Sequence, residues 1–166
     1  MSSAVHAIVS ALFGKVPYTV IIGLVSMIPL LELRGSILAA GLIKNAQFLP
    51  TFIAAVIGNM LPIPFIFLFI EKIFAWLKTT KHFHTLPDKI TEKAMKKSEQ
   101  IEKYGYLGLM LFVAIPLPGT GAWTGSLLAV LFGMKAKKSL PFIFLGVLIA
   151  GLIMSMISFG ILKSIF

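Results

Sequence analysis

Residues 28–36 read IPLLELRGS and set Glu32 and Arg34, the chain's only arginine, between two uncharged apolar runs. Every other acidic residue lies in one polar segment, from Glu71 to Glu102. A charge at the centre of a bilayer costs about 2.5–3.5 kcal/mol on insertion scales. If the surrounding run lies in a membrane, this pair must face protein, water or each other.

The composition puts it there. Hydrophobic residues fill 58% of 166 positions and the mean hydropathy is +0.97, far above that of a domain with a charged surface. Four apolar stretches stand out: 16–43, interrupted only by Glu32 and Arg34, then 48–70, 104–134 and 141–162. At roughly 20 residues per crossing, the second and fourth fit single transmembrane helices. The first and third are too long for one span and too short for two.

A net charge of +9 would point to nucleic acid in a soluble protein. Here the lysines cluster at the ends of apolar runs, which fits topology signals and anionic lipid headgroups, and no nucleic-acid binding is expected. With no cysteine, disulfides and thiolate metal sites are excluded. Near the N-terminus, Val5, Ile8, Val9, Leu12 and Phe13 fall at helical spacing without a basic n-region, which predicts an amphipathic helix rather than a signal peptide.

The two halves of the chain resemble each other. From Lys15, KVPYTVIIGLVSMIPLLELRGSILAAGLIKNAQFLP aligns with KYGYLGLMLFVAIPLPGTGAWTGSLLAVLFGMKAKKSLP from Lys103. A lysine, a tyrosine three residues on, Ile-Pro-Leu, Gly-Ser, a further lysine and Leu-Pro recur in order, which predicts an internal repeat. Each half then holds one overlong run broken by proline and glycine, followed by one ordinary span. A broken run is either a kinked crossing helix or a re-entrant hairpin. Hairpins make the number of crossings per half odd, so the second half is inverted. They also put the 72–103 lysines on one face with Lys135, Lys137 and Lys138, leaving Lys15, Lys44 and Lys163 opposite, as the positive-inside tendency favours.

The expected fold is therefore an all-α integral membrane protein, a single membrane domain over 1–166. It comprises two inverted-topology repeats, 15–70 and 104–166, each a re-entrant broken helix followed by a transmembrane helix. Between them lies a central amphipathic cytoplasmic segment, 71–103. In that segment Ile73, Phe74, Trp76 and Leu77 extend the preceding span with an aromatic anchor. Thr85, Pro87 and Asp88 resemble a helix start, predicting a surface helix over 88–103. His82 and His84 lack partners for a metal site, and none is expected.

Glu32 and Arg34 stand two residues apart, so on a regular helix they point to different sides. In a stretch unwound between Pro29 and Gly35, both can turn into one cavity, Arg34 holding an anionic group and Glu32 tuning it or exchanging a proton. An ion pair locking the hairpin tip is the structural alternative. The second break, IPLPGTGAWTG, carries no charge. Pro116 and Pro118 interrupt the incoming half-helix, while Gly119 and Gly121 permit tight turns. Thr120, Thr124 and Trp123 supply hydroxyls and an N–H. Half-helices beginning near Gly35, with Ser36, and near Gly125 would converge by their positive N-terminal ends on a midplane site. Asn59, in VIGNMLPIP, adds an uncharged polar group in the adjacent span.

The motifs IPLLELRGSILAAG and IPLPGTGAWTGSLLAVLFGM resemble the paired motifs of the small multidrug export protein family, and the resemblance covers nearly the whole chain. That family is similar, more distantly, to the DedA or SNARE-associated membrane proteins. The resemblance implies two re-entrant segments in inverted repeats and a transporter or lipid translocase, undecaprenyl phosphate being among the lipids associated with the wider group. Glu32 and Arg34 fall in the first motif. DedA-type proteins also carry charges in the second re-entrant element, where 119–125 has none.

The expected function is translocation of an amphipathic, anionic substrate, most sharply a polyprenyl-phosphate-like lipid. Proton-coupled export of lipophilic cations, with Glu32 as counter-ion, is the second transport reading. A membrane scaffold binding lipid or a protein partner through its basic central helix is the non-transport one. One carboxylate, with no cysteine, no buried histidine pair and no metal constellation, leaves no acid–base couple, so neither catalysis nor a cofactor is expected. The expected partners are membrane lipids, the substrate and a second copy in a homodimer. The expected location is the inner cell membrane of a prokaryote.

Overall fold

A computed structural model describes residues 16–43, 45–80, 85–96, 99–117 and 119–162. The predicted N-terminal helix, Lys15, Lys44, His82, His84, Lys97, Pro118 and Lys163 lie outside the described residues, as does the side chain of Leu77. Helix is the only regular secondary structure among the described residues, with no strand. The helices are α1 (Tyr18–Ser26), α2 (Glu32–Gly41), α3 (Phe48–Met60), α4 (Ile63–Thr79), α5 (Leu86–Met95), α6 (Glu99–Ala114), α7 (Ala122–Leu131) and α8 (Ala136–Ser155). The last continues in a wider π turn over Met156–Leu162.

Proline and glycine set most of the boundaries. Pro17, at φ −53°, precedes α1, and the helix stops at Met27 ahead of Pro29. Pro62 and Pro64 have no N–H to continue α3 and instead sit around the first residue of α4, where a helix does not need those donors. Phe48–Ile70, with 23 residues, and Ala136–Gly160, with 25, are long and apolar enough to cross a membrane. Leu24, Leu49, Ile53, Ile57 and Leu68 are exposed, a continuous apolar exterior suited to lipid and not to water. The protein is a membrane protein.

The helix expected over 88–103 is two. Lys96 N–H to Glu92 O closes α5, and α6 begins at Glu99. Gly105, at φ 57°, then bends α6 where the polar segment meets the apolar run. This segment is not simply a solvated face either, because Pro87 is fully buried and Ile101 is in the core. On its outer side Lys96 pairs with Glu92 at 2.7 Å and holds that carboxyl below the ordinary carboxylate range.

Contacts between helices fix their directions. The N–H of Gln47, just before α3, donates to the Tyr18 hydroxyl at 3.2 Å, while Gly23 further along α1 meets Ala54 and Gly58 further along α3. Thus α1 runs beside α3 in the same direction, and α2 returns. In the second half, Lys135 N–H donates to the Tyr106 hydroxyl at 3.3 Å, and Gly146 of α8 lies against Met110 O and Val113 of α6. The same number of residues separates Tyr18 from Tyr106, Gln47 from Lys135 and Gly58 from Gly146. The long helices cross the other way. Phe48 packs edge-on to Phe159, with ring centroids 6.2 Å apart, and Phe52 lies on Gly151, so α3 and α8 are antiparallel. Leu33 and Ile37 of α2 follow α8 upward, with Ser158 Oγ donating to Ile37 O at 2.7 Å. Leu33, Ile37, Ile63, Leu109, Leu128, Ile143 and Val147 form the buried centre.

Candidate functional site

The charge pair of the first break reaches into the second. Glu32 is the first residue of α2 and has φ 48°, a left-handed conformation unusual for a side chain of this size. It is only 4% exposed, and its Oε1 accepts the Trp123 N–H at 3.2 Å. Trp123 lies in the first turn of α7, where backbone N–H groups have no carbonyl of their own helix to meet. A carboxylate is the group that this positive helix end favours, and here it comes from a distant part of the chain. Gly121 makes room for it: a Cβ there would land on the carboxylate, and its φ of 127° suits only glycine.

Arg34 serves the opposite helix end. Its Nη1 donates to Leu117 O, to Thr120 O at 2.9 Å and to Thr120 Oγ1 at 3.0 Å. Its Nη2 donates to Val113 O at 3.2 Å and Ile115 O at 3.1 Å. These carbonyls lie at and just beyond the end of α6, which Pro116 prevents from being used by another turn. One charge pair therefore caps both half-helices of the second break, each charge at the dipole end of opposite sign. The alternative ion pair does not form, since no Glu32–Arg34 contact within 4.0 Å is among the salt bridges of the described residues. The half-helices start at Glu32 and Ala122, three residues before the glycines expected to open them. Gly35 and Gly125 lie inside the helices. At Gly125 a Cβ would collide with Val113, so this glycine serves close packing.

A cavity of about 520 Å³ lies between the two breaks. Of the residues expected at the site, Glu32, Arg34 and Gly35 line it from the first break, and Pro116, Gly119, Thr120 and Thr124 from the second. Others stand behind the wall. Ser36 Oγ lies 2.5 Å from Ser26 Oγ and donates to Leu33 O at 3.1 Å. Gly121 and Trp123 position Glu32 through their backbones. Asn59 is fully buried and does not line the cavity. Much of the remaining wall is apolar, and sequence reasoning missed it: Leu38 of α2, Leu127 of α7, Met154 of α8 and Ile90 of α5. Ile90 had a signal in the amphipathic pattern of its helix, whereas Met154 had none in an all-apolar span.

Fold and site together define an all-helical membrane protein in which two helix breaks, interlocked by one buried acid and one arginine, enclose an apolar-walled cavity. The family model described as "Putative small multi-drug export protein" matches residues 32–153, from the acid that opens α2 to the far end of α8, and the chain belongs to that family. No curated protein and no solved structure matches the chain.

Proposed function

We propose that this protein translocates an amphipathic, anionic molecule across the membrane by way of the cavity between the breaks. The observation that carries the proposal is Arg34. Its terminal nitrogens are held by carbonyls of the other half, but its Nε–H is buried, has no partner among the described residues and belongs to a residue of the cavity wall. An oxyanion in the cavity would meet that donor after a small shift of the guanidinium opened it. The cavity volume lies in the range of ligand sites, and Leu30, Leu38, Leu127 and Met154 give an apolar tail its surroundings. A polyprenyl-phosphate-like lipid combines such a head and tail.

The architecture proposed for this work is two inverted repeats with re-entrant hairpins, similar in plan to the DedA proteins. Support comes from the parallel runs of α1 with α3 and α6 with α8, which require the intervening half-helix to turn back. The matched tyrosine bonds and the antiparallel α3 and α8 support it further. Non-helical backbone at membrane depth is tolerated where protein buries it, and the caps from Glu32 and Arg34 provide for that here. The inner membrane of a prokaryote is the proposed location, with a homodimer the proposed assembly.

The test is transfer of a fluorescent short-chain phosphatidic acid between leaflets of reconstituted vesicles, read by quenching from outside. Arg34→Ala abolishes transfer if the guanidinium holds the headgroup, and full transfer by a folded Arg34→Ala protein defeats the proposal. The family's description favours a second reading, pH-gradient-driven export of a lipophilic cation with Glu32 as its counter-ion. Ethidium efflux lost in Glu32→Gln, without phosphatidic acid transfer in the native protein, would select it.

A further inference from the structure

We infer that the path continues beyond the open cavity along a closed seam between α3 and α8, lined by Thr51, Asn59 and Ser155, which takes the hydrated polar headgroup. The inference rests on the translocation reading.

Buried hydroxyls elsewhere in the described residues are satisfied. Ser26 and Ser36 bond each other, Ser126 Oγ donates to Ala122 O at 2.6 Å, Ser139 Oγ to Lys135 O at 3.1 Å and Ser158 Oγ to Ile37 O. Thr51, Asn59 and Ser155 differ. They are 0%, 0% and 2% exposed, yet Thr51 Oγ1, both amide atoms of Asn59 and Ser155 Oγ have no hydrogen-bond partner among the described residues. A helical threonine or serine readily bonds the carbonyl one turn back, and these two do not. Polar groups buried without partners are costly, and all three lie on the two membrane-spanning helices.

The three residues string out along the packing of α3 on α8, Ser155 near the level of Thr51 and Asn59 about 12 Å further along α3. Thr51, Ala55 and Asn59 recur at helical spacing on one face of α3, all fully buried. That side of α3 meets α8 where Phe52 lies on Gly151, and Ser155 stands one turn from Gly151. The seam adjoins the cavity, since Met154 lines the cavity wall and Ser155 follows it in the chain. No charged residue belongs to the seam, so it fits a group carrying its own water and does not trap an ion. Donor and acceptor atoms are both present in the Asn59 amide, which can follow a headgroup and its water through.

Cysteine scanning tests this cleanly in a chain with no native cysteine. Ala55→Cys lies within the seam, Leu38→Cys lines the cavity and Leu109→Cys is fully buried away from both. A membrane-impermeant thiol reagent is applied to either face of vesicles containing the full chain. Leu38→Cys is expected to react from one face, and Ala55→Cys from the opposite face about tenfold faster than Leu109→Cys, as opening of the seam exposes it. Adding Asn59→Leu should dry the seam and remove that advantage. If Ala55→Cys is as inert as Leu109→Cys in protein that retains its elution profile, the inference is wrong. Phosphatidic acid transfer in the same vesicles separates the two ideas. Transfer with an inert Ala55→Cys keeps the translocator and discards the seam, whereas labelling without transfer overturns the translocator and, with it, the seam as a path, leaving only a water-accessible interface.

Discussion

Gly121→Ala probes the contact on which the site is built. A methyl group at this position meets the Glu32 carboxylate, and the backbone must hold φ 127° with ψ −174°, a region that residues other than glycine avoid. The strained backbone costs about 1–3 kcal/mol. Pushing the carboxylate off the α7 N–H group forfeits a charge-assisted bond of about 1.5–3 kcal/mol. The expected loss of stability is thus about 2.5–6 kcal/mol. Gly133→Ala is the control, with φ 64° and open space around its Cβ, and should lose about 1–2 kcal/mol. Thermal unfolding in detergent can follow Trp123 alone in a Trp76→Phe background, because these are the only tryptophans. In a Glu32→Ala background the collision disappears, and Gly121→Ala should cost only its backbone share, a coupling of about 1.5–3 kcal/mol. Strictly additive losses, with Gly121→Ala no worse than Gly133→Ala, would refute the reasoning.

Three further outcomes follow from the geometry. Arg34→Ala removes the charged donor from Val113 O and Thr120 O and should lower stability by about 1.5–3 kcal/mol in thermal unfolding, with Arg34→Lys in between because one ammonium cannot span Val113 to Thr120. Tyr18→Phe and Tyr106→Phe each remove one bond to the N–H that precedes a long helix, and should cost a similar ~1 kcal/mol in the same assay; a large difference would argue against equivalent halves. Lys96 lowers the Glu92 pKa, so the pair supports α5 above the ordinary carboxylate range and is lost as pH falls through the lowered value. Exchange protection, corrected for the intrinsic pH dependence of amide exchange, should therefore fall in α5 below about pH 4 while that of α3 is unchanged.

Much of this was legible in the residues because lipid narrows the options. Two spans could be counted from hydropathy, and the breaks from proline and glycine. Tyr18 and Tyr106 stand at matching places in the two aligned stretches, and each hydroxyl accepts the N–H that precedes a long helix. The destination of the charges was not legible. Proximity in sequence paired Glu32 with Arg34, whereas each reaches residues far along the chain, a choice made by tertiary packing. Helix starts were misjudged by one turn because glycine signals flexibility and close packing alike, and at Gly125 packing won. Asn59 was assigned to the cavity on polarity alone, and only the burial of its amide away from the cavity wall separates it.

Membrane sidedness tests the central claim most directly. Single cysteines at Gln47, Lys89 and Lys137 report the start of α3, the exposed side of α5 and the start of α8. If both broken runs enter and leave by the same face, Lys89→Cys and Lys137→Cys label together from one side and Gln47→Cys from the other. Labelling of Lys137→Cys together with Gln47→Cys, opposite Lys89→Cys, would mean that the second broken run crosses the bilayer, and the inverted arrangement of the halves would not exist.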